Sequence, residues 1–238
     1  MISNGRQTTR PRRGFTLIEI LVAVALLAAA MAIALSAYYS VSRAWQRGVT
    51  LADSLNHGDY VMEQMVSGLR CAFYPPPQSN AAGGWSDFGF WLEKRGSGAE
   101  ARDVISWVKT GAALLGQENV LDRGLHRVRV SVEDDPDGLP AVAIRVWRPY
   151  ANPDAFDASQ VDPFFISGKA LGLSCRVATN RTDAGWEWMD NWENEATNHL
   201  PAAVEITLYL DPIERNDPPV EIKRLVEIPL APLSWNAK

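Results

Sequence analysis

Residues 15–35 run for twenty-one positions with a single charge, Glu19, and with no proline or glycine. From Ile20 to Leu35 every side chain is Ala, Leu, Ile, Val or Met. At about 1.5 Å per residue, a helix of this length spans roughly 30 Å, the hydrocarbon core of a bilayer. A secretory signal has a shorter apolar stretch followed by a small-residue cleavage site. Here the small residues Ala28, Ala29 and Ala30 lie inside the run. The segment therefore reads as a membrane-spanning helix. Arg6, Arg10, Arg12 and Arg13 precede it with no acid among them, whereas Arg43 and Arg47 stand well beyond its far end. That asymmetry puts the N-terminus in the cytoplasm and the bulk of the chain outside.

Glu19 is the unusual residue in this run. A carboxylate near the bilayer centre costs on the order of 2.5–3.5 kcal/mol, less near the interface, and needs a partner. No Lys or Arg lies within one turn downstream of it. A cut after Gly14 would create an α-amino group on Phe15. In a side-by-side helical assembly the amine of one subunit could then meet Glu19 of its neighbour.

Whole-chain averages conceal this organisation. The 238 residues are 47% hydrophobic and 21% charged, with two Cys and a net charge of −5. Such values exclude collagen, a disulfide mini-scaffold and wholesale disorder. They average a basic start, an apolar anchor and an acidic remainder.

Arg12-Arg13-Gly14-Phe15-Thr16-Leu17-Ile18-Glu19, followed by an apolar helix, resembles the cleavage and methylation signature of type IV pilins and type II secretion pseudopilins. The resemblance implies that a prepilin peptidase cuts between Gly14 and Phe15 and methylates the Phe15 amine. It also implies that Glu19, fifth in the mature chain, serves subunit docking. The partners so implied are other minor and major pseudopilins, the prepilin peptidase and the membrane. The implied location is the inner membrane, single-pass, with the head periplasmic.

Beyond Leu35 the helical spacing persists and becomes amphipathic. Val41, Trp45, Ala52, Leu55, Met62, Val66, Leu69 and Phe73 follow one stripe, with Gly48 and Asp59 in its gaps. Pro75-Pro76-Pro77 should stop it. The expected helix runs from about 15 to 73, and Gly48, Gly58 and Gly68 are expected to mark bends. Its outer half should pack on a globular domain rather than form a free coiled coil.

Residues 75–238 read as a large β-rich head. Strand patterns occupy 88–92, 104–108, 128–132, 142–147, 171–177, 204–210 and 222–228. Asp134-Asp135-Pro136-Asp137-Gly138 and Asn216-Asp217-Pro218-Pro219 are turn sequences, so their flanking strands should form antiparallel hairpins. Residues 149–163 and 179–200 read as long connections. The expected fold is α+β: a basic leader (1–14), the membrane half of a long helix (15–35), its amphipathic half (36–74), and an antiparallel head. Trp186-Glu187-Trp188, the Leu200–Leu208 segment LPAAVEITL and the ending VEIPL resemble the J-type minor pseudopilins of type II secretion. That likeness implies a role in initiating or capping a pseudopilus.

Catalytic patterns are absent from the sequence. His57, His126 and His199 are scattered, and no H-E-x-x-H, G-x-S-x-G or phosphate-binding loop occurs. Cys71 and Cys175 could form a disulfide tying the helix end to the head, or be two small buried hydrophobes. The tryptophan-rich loop carries Glu187, Asp190 and Glu193 as weak calcium candidates, with a solvated acidic loop or a partner surface as the plainer readings. No other cofactor is expected. Removing the four leader arginines takes the net charge from −5 to −9, which disfavours nucleic acid as a partner. The rival to a filament subunit is a pilin-like cassette or other membrane-anchored binding protein that uses the same export signature.

Overall fold

The computed structural model describes residues 14–74, 89–115, 121, 124–149, 157–182, 185–192, 199–214 and 216–235, excepting the side chains of 180–182, 234 and 235. Residues 1–49 and 50–238 form two compact units. Helix α1 (Leu17–Arg70) contributes to both.

In the first unit, residues 14–41 are exposed throughout. The amphipathic stripe expected here is not buried: Val41 and Trp45 are 69% and 74% exposed. In the second unit α1 buries Ser54, Gly58, Val61, Met62, Met65, Val66, Gly68 and Leu69. Burial thus begins at Ser54 and uses small residues that the apolar stripe omitted, while Ala52 and Asp59 face solvent. Close backbone approach explains the choice. A Cβ on Gly68 would lie 2.8 Å from Leu114 Cδ1 and 3.2 Å from Trp107 Cζ2, and one on Gly58 would run into Ile222 and Leu210. The helix is continuous through both glycines, which serve as packing sites.

α1 ends at Arg70 because its backbone switches partners there. The Phe73 N–H donates to the Val108 carbonyl at 2.8 Å, and the Thr110 N–H donates to the Cys71 carbonyl at 3.2 Å. The expected Pro75–Pro77 stop lies outside the described residues.

Among the described residues the head contains two antiparallel sheets. The first is a meander of β1 (Trp91–Glu93), β2 (Val104–Lys109), β3 (His126–Asp134), β4 (Pro140–Trp147) and β5 (Phe164–Ser167). The second comprises β6 (Ala170–Thr182), β7 (Gly185–Met189), β8 (Ala203–Leu210) and β9 (Val220–Glu227), in the order β7-β6-β8-β9. A short helix, α2 (Ala231–Trp235), follows. Alternate residues such as Val128, Val130, Ile144, Leu173, Val177, Ile206 and Leu208 join Met62, Met65 and Leu69 of α1 in one core. The α+β architecture expected from the sequence is therefore the one observed.

Both expected hairpins form. β3 and β4 close at Asp134 opposite Pro140, where Asp135 Oδ1 accepts the N–H groups of Asp137 and Leu139 at 2.9 Å each. Gly138 takes the left-handed conformation that the turn requires, φ +78°. β8 and β9 close at Leu210 opposite Val220. Two strands escaped the sequence reading. β5 has no alternating pattern, and β7 sits inside the supposed 179–200 connection, pairing Val177 with Met189 and Ala178 with Trp188.

The segment 101–103 stitches the sheets together. The Leu173 N–H donates to the Ala101 carbonyl at 2.8 Å, and the Asp103 N–H to the Leu173 carbonyl at 3.1 Å. The buried Asp103 carboxylate accepts the N–H groups of Arg95 and Cys175, both at 2.8 Å, and pairs with Lys94 at 3.0 Å.

Candidate functional site: the start of the apolar helix

Gly14, Phe15 and Thr16 precede the first helical residue in an open, non-helical stretch. Phe15 is 81% exposed, and a Cβ on Gly14 would touch nothing within 4 Å. The Gly14–Phe15 peptide bond is therefore accessible to an enzyme. Thr16 caps the helix: the Glu19 and Ile20 N–H groups donate to its carbonyl at 3.1 and 3.3 Å.

Glu19 completes this cap. Its Oε2 accepts the Thr16 N–H at 3.2 Å and the Thr16 hydroxyl at 3.3 Å, while Thr16 Oγ1 accepts the Glu19 N–H at 3.4 Å. This reciprocal pair is a capping box, Thr-x-x-Glu, which satisfies two N–H groups left over at the helix start. The Thr-x-x-Glu spacing of this cap is present in the sequence itself. The negative charge also lies in the first turn, where the helix dipole favours it.

At the other end of the apolar run stand Tyr38 and Tyr39, ring centroids 6.0 Å apart and edge to face. Arg43 and Arg47 follow, sharing a shallow cleft with Ser36, Tyr39, Ser40 and Ala44. Aromatic rings followed by cations are what a helix places at a membrane–water boundary. This belt went unread in the sequence. By length and composition α1 has one segment apolar enough to cross a membrane, as a single-pass anchor needs.

Residues 9–35 match the prokaryotic N-terminal methylation motif. That motif is the signature of type IV pilins and pseudopilins, which are processed by prepilin peptidase and act as structural subunits rather than enzymes. The methylation motif thus spans the basic flank, the Gly14–Phe15 junction, the capping box and the apolar run. No curated protein matches the chain.

The remaining sequence candidates do not join this site. Cys71 and Cys175, for which the sequence left both a bridge and two buried thiols open, are free thiols in this structure. Cys71 is exposed just past α1, where its backbone pairs beside β2, while Cys175 is buried on β6 of the other sheet. Burial, reinforced by the Asp103 carboxylate, holds the Cys175 thiol above its usual range, so it behaves as a small hydrophobe. Glu187 on β7 and Asp190 after it are exposed, and Glu193 lies outside the described residues. Among the described residues no three His, Cys, Asp or Glu side chains converge as metal ligands.

The tryptophan-rich stretch is more structural than expected. Trp192 is fully buried, its backbone exchanges hydrogen bonds with Leu92 at 3.0 and 3.1 Å, and its ring meets Phe90 edge to face at 6.5 Å. Trp188 lies under the Arg176 guanidinium, 5.1 Å from it. Of the histidines, His57 is exposed on α1, His199 is half-buried, and His126 is buried at the start of β3 with Nε2 3.0 Å from Lys109 Nζ.

Proposed function

We propose that this chain is a minor pseudopilin-like subunit of a type II secretion or type IV pilus-like filament. Prepilin peptidase cuts the Gly14–Phe15 bond and methylates the new Phe15 amine. The helix stays in the inner membrane with its N-terminus toward the cytoplasm, and the head projects into the periplasm. Assembly joins subunits through their apolar helices, with Glu19 of one subunit meeting the Phe15 amine of the next. The head contacts other minor and major subunits and helps to initiate or cap the filament.

The observation that carries this reading is the accessible Gly14–Phe15 bond one turn ahead of Glu19, at the start of an apolar run whose residues are all exposed. Exposure of such a helix in water is unfavourable by about 25 cal/mol per Å² of apolar surface, so bilayer and neighbouring helices are its natural surroundings. Glu19 needs a positive partner in that setting, and a cut at Gly14 supplies one on the neighbouring subunit.

Mass spectrometry of the membrane-extracted protein tests the processing. A mature chain beginning with methylated Phe15 is expected. An intact Met1, or a cut after residue 30, overturns the reading. For assembly, Glu19→Ala should insert and be cleaved normally but enter the filament weakly. Normal incorporation would defeat the amine–carboxylate pairing.

A further inference from the structure

The face of the first sheet that points away from the core carries a cationic hollow. Register aligns Trp91, Ser106, Arg129 and Arg145 in one row across β1 to β4, and Val108, Arg127 and Trp147 in the next. Their neighbours in sequence, Ile105, Val128, Val130 and Ile144, fill the core, so these residues face the other way. Trp91, Glu93, Ser106, Arg127, Arg129 and Trp147 line a cavity of about 250 Å³ there, with Val104 and Ala158 completing it.

Among the described residues the acids around this cavity are already engaged. Arg95 is engaged by Glu93 at 2.7 and 2.9 Å, and Arg145 forks onto Glu133, its Nη2 at 2.8 Å from Oε2. Arg127 Nε donates to Ser106 Oγ at 2.9 Å. Arg129 has no such arrangement: its Nε is buried and, among the described residues, has no hydrogen-bond partner. The nearby Asp157 carboxylate is exposed and holds the Ser159 N–H at 2.9 Å. Among the described residues, Glu93 and Glu133 are thus engaged by Arg95 and Arg145, and neither hydrogen-bonds the buried Arg129 Nε. Burial first, then the Arg145 and Arg95 charges, pull the Arg129 guanidinium below its usual range.

A buried donor without a partner is costly, and a guanidinium fork is shaped to donate to two oxygens of one planar anion. Indoles on two sides add flat apolar walls that suit a flat group. We propose that this hollow is a carboxylate-binding site, with Arg129 as the anchor and Trp91 and Trp147 flanking the bound group. The carboxylate can come from a small organic acid or from an acidic side chain of a polypeptide. Neither source depends on the pilin-like reading.

Calorimetric titration of the full chain in detergent micelles tests this. The probes are benzoate and the peptide acetyl-Gly-Glu-Gly-amide, each beside its neutral counterpart, benzamide and acetyl-Gly-Gln-Gly-amide. At least one carboxylate should bind ten-fold or more tightly than its neutral counterpart, and Arg129→Gln should weaken it ten-fold or more at an unchanged melting midpoint. Tighter binding of the peptide than of benzoate assigns the polypeptide source, and the reverse order assigns the small acid. Should Arg129→Gln not fold, arginine-¹⁵N-labelled wild-type protein gives a second readout. There the Arg129 Nε–H resonance, assigned through Arg129→Lys, must move on adding the carboxylate. Equal binding of acid and amide, undiminished binding to Arg129→Gln, a stationary Arg129 resonance, or binding of inorganic phosphate with neither carboxylate overturns the proposal.

Discussion

Glu19 Oε2 accepts the Thr16 N–H at 3.2 Å while Thr16 Oγ1 accepts the Glu19 N–H at 3.4 Å, so the acid of the methylation motif also closes the first turn of its own helix. Removing a Thr cap costs about 1 kcal/mol, which is roughly five-fold in a local opening equilibrium. Thr16→Ala should therefore speed hydrogen exchange of the Glu19 and Ile20 amides about five-fold in micelles. Residues past the first turn should keep their rates. Unchanged exchange at both amides would remove the cap from the account.

Two glycines of α1 should respond to substitution with opposite sign. Gly48 has nothing within 4 Å of a built Cβ, so Gly48→Ala should gain up to about 1 kcal/mol from helix propensity alone. Gly68 faces Leu114 and the Trp107 ring, so Gly68→Val should lose about 2 kcal/mol by overpacking. Denaturant unfolding of the full chain in detergent reads both. A stabilised Gly68→Val protein would refute the close-approach interpretation.

Trp107 Nε1 donates to the Gly68 carbonyl at 3.0 Å, while the Ala72 N–H that an unbroken helix would offer goes instead to Leu69. Trp107→Phe keeps an aromatic ring but leaves that buried carbonyl unpaired, which costs about 1–3 kcal/mol. The expected result is an unfolding midpoint lowered accordingly. A midpoint equal to wild type would mean that water or a shifted backbone replaces the indole.

What the sequence disclosed follows from how local each determinant is. The apolar run, the Gly14–Phe15 junction and the two Pro/Asp turns are written in consecutive residues, and all were legible. The buried face of α1 was not, because Ser54 and Gly58 are buried for their smallness rather than their apolarity. β7 was hidden because it is only five residues long, lies at the sheet edge and contains no fully buried residue to mark it as a strand. The burial of Trp192 was not legible, since nothing local reveals that Leu92, a hundred residues earlier, pairs with it. The Arg129 hollow depends on cross-strand register and on two ion pairs, none of which periodicity encodes.

Asp103 is fully buried and ties the segment at 94–95 to β6 through Lys94, the Arg95 N–H and the Cys175 N–H. Breaking a buried pair by removing one partner typically costs 3–5 kcal/mol. Lys94 is partly exposed and can rehydrate, so Asp103→Ala should fall near the low end, about 3 kcal/mol. A loss below about 1 kcal/mol, read by chemical unfolding, would show that the two sheets are held together without it.

Lys109 gives the head a pH-dependent stability of definite sign. Its side chain is fully buried, with Nζ donating to the Gly111 carbonyl at 2.6 Å and lying 3.0 Å from His126 Nε2. The Gly124 carbonyl 3.0 Å from His126 Nδ1 assigns the proton to Nδ1, which leaves Nε2 to accept from Lys109. Burial lowers the Lys109 ammonium from its ordinary 10.5 to about 8. Between those values the unfolded chain binds the proton and the folded chain does not, so folding releases a proton and stability rises with pH. Below about 8 both states are protonated and the dependence vanishes. Lys109→Met removes the group. The wild-type minus variant stability should therefore be flat below about pH 7 and climb between about 8 and 10, by at most 1.4 kcal/mol per pH unit. A difference that stays flat or falls across that window would mean that Lys109 keeps its charge when the head folds.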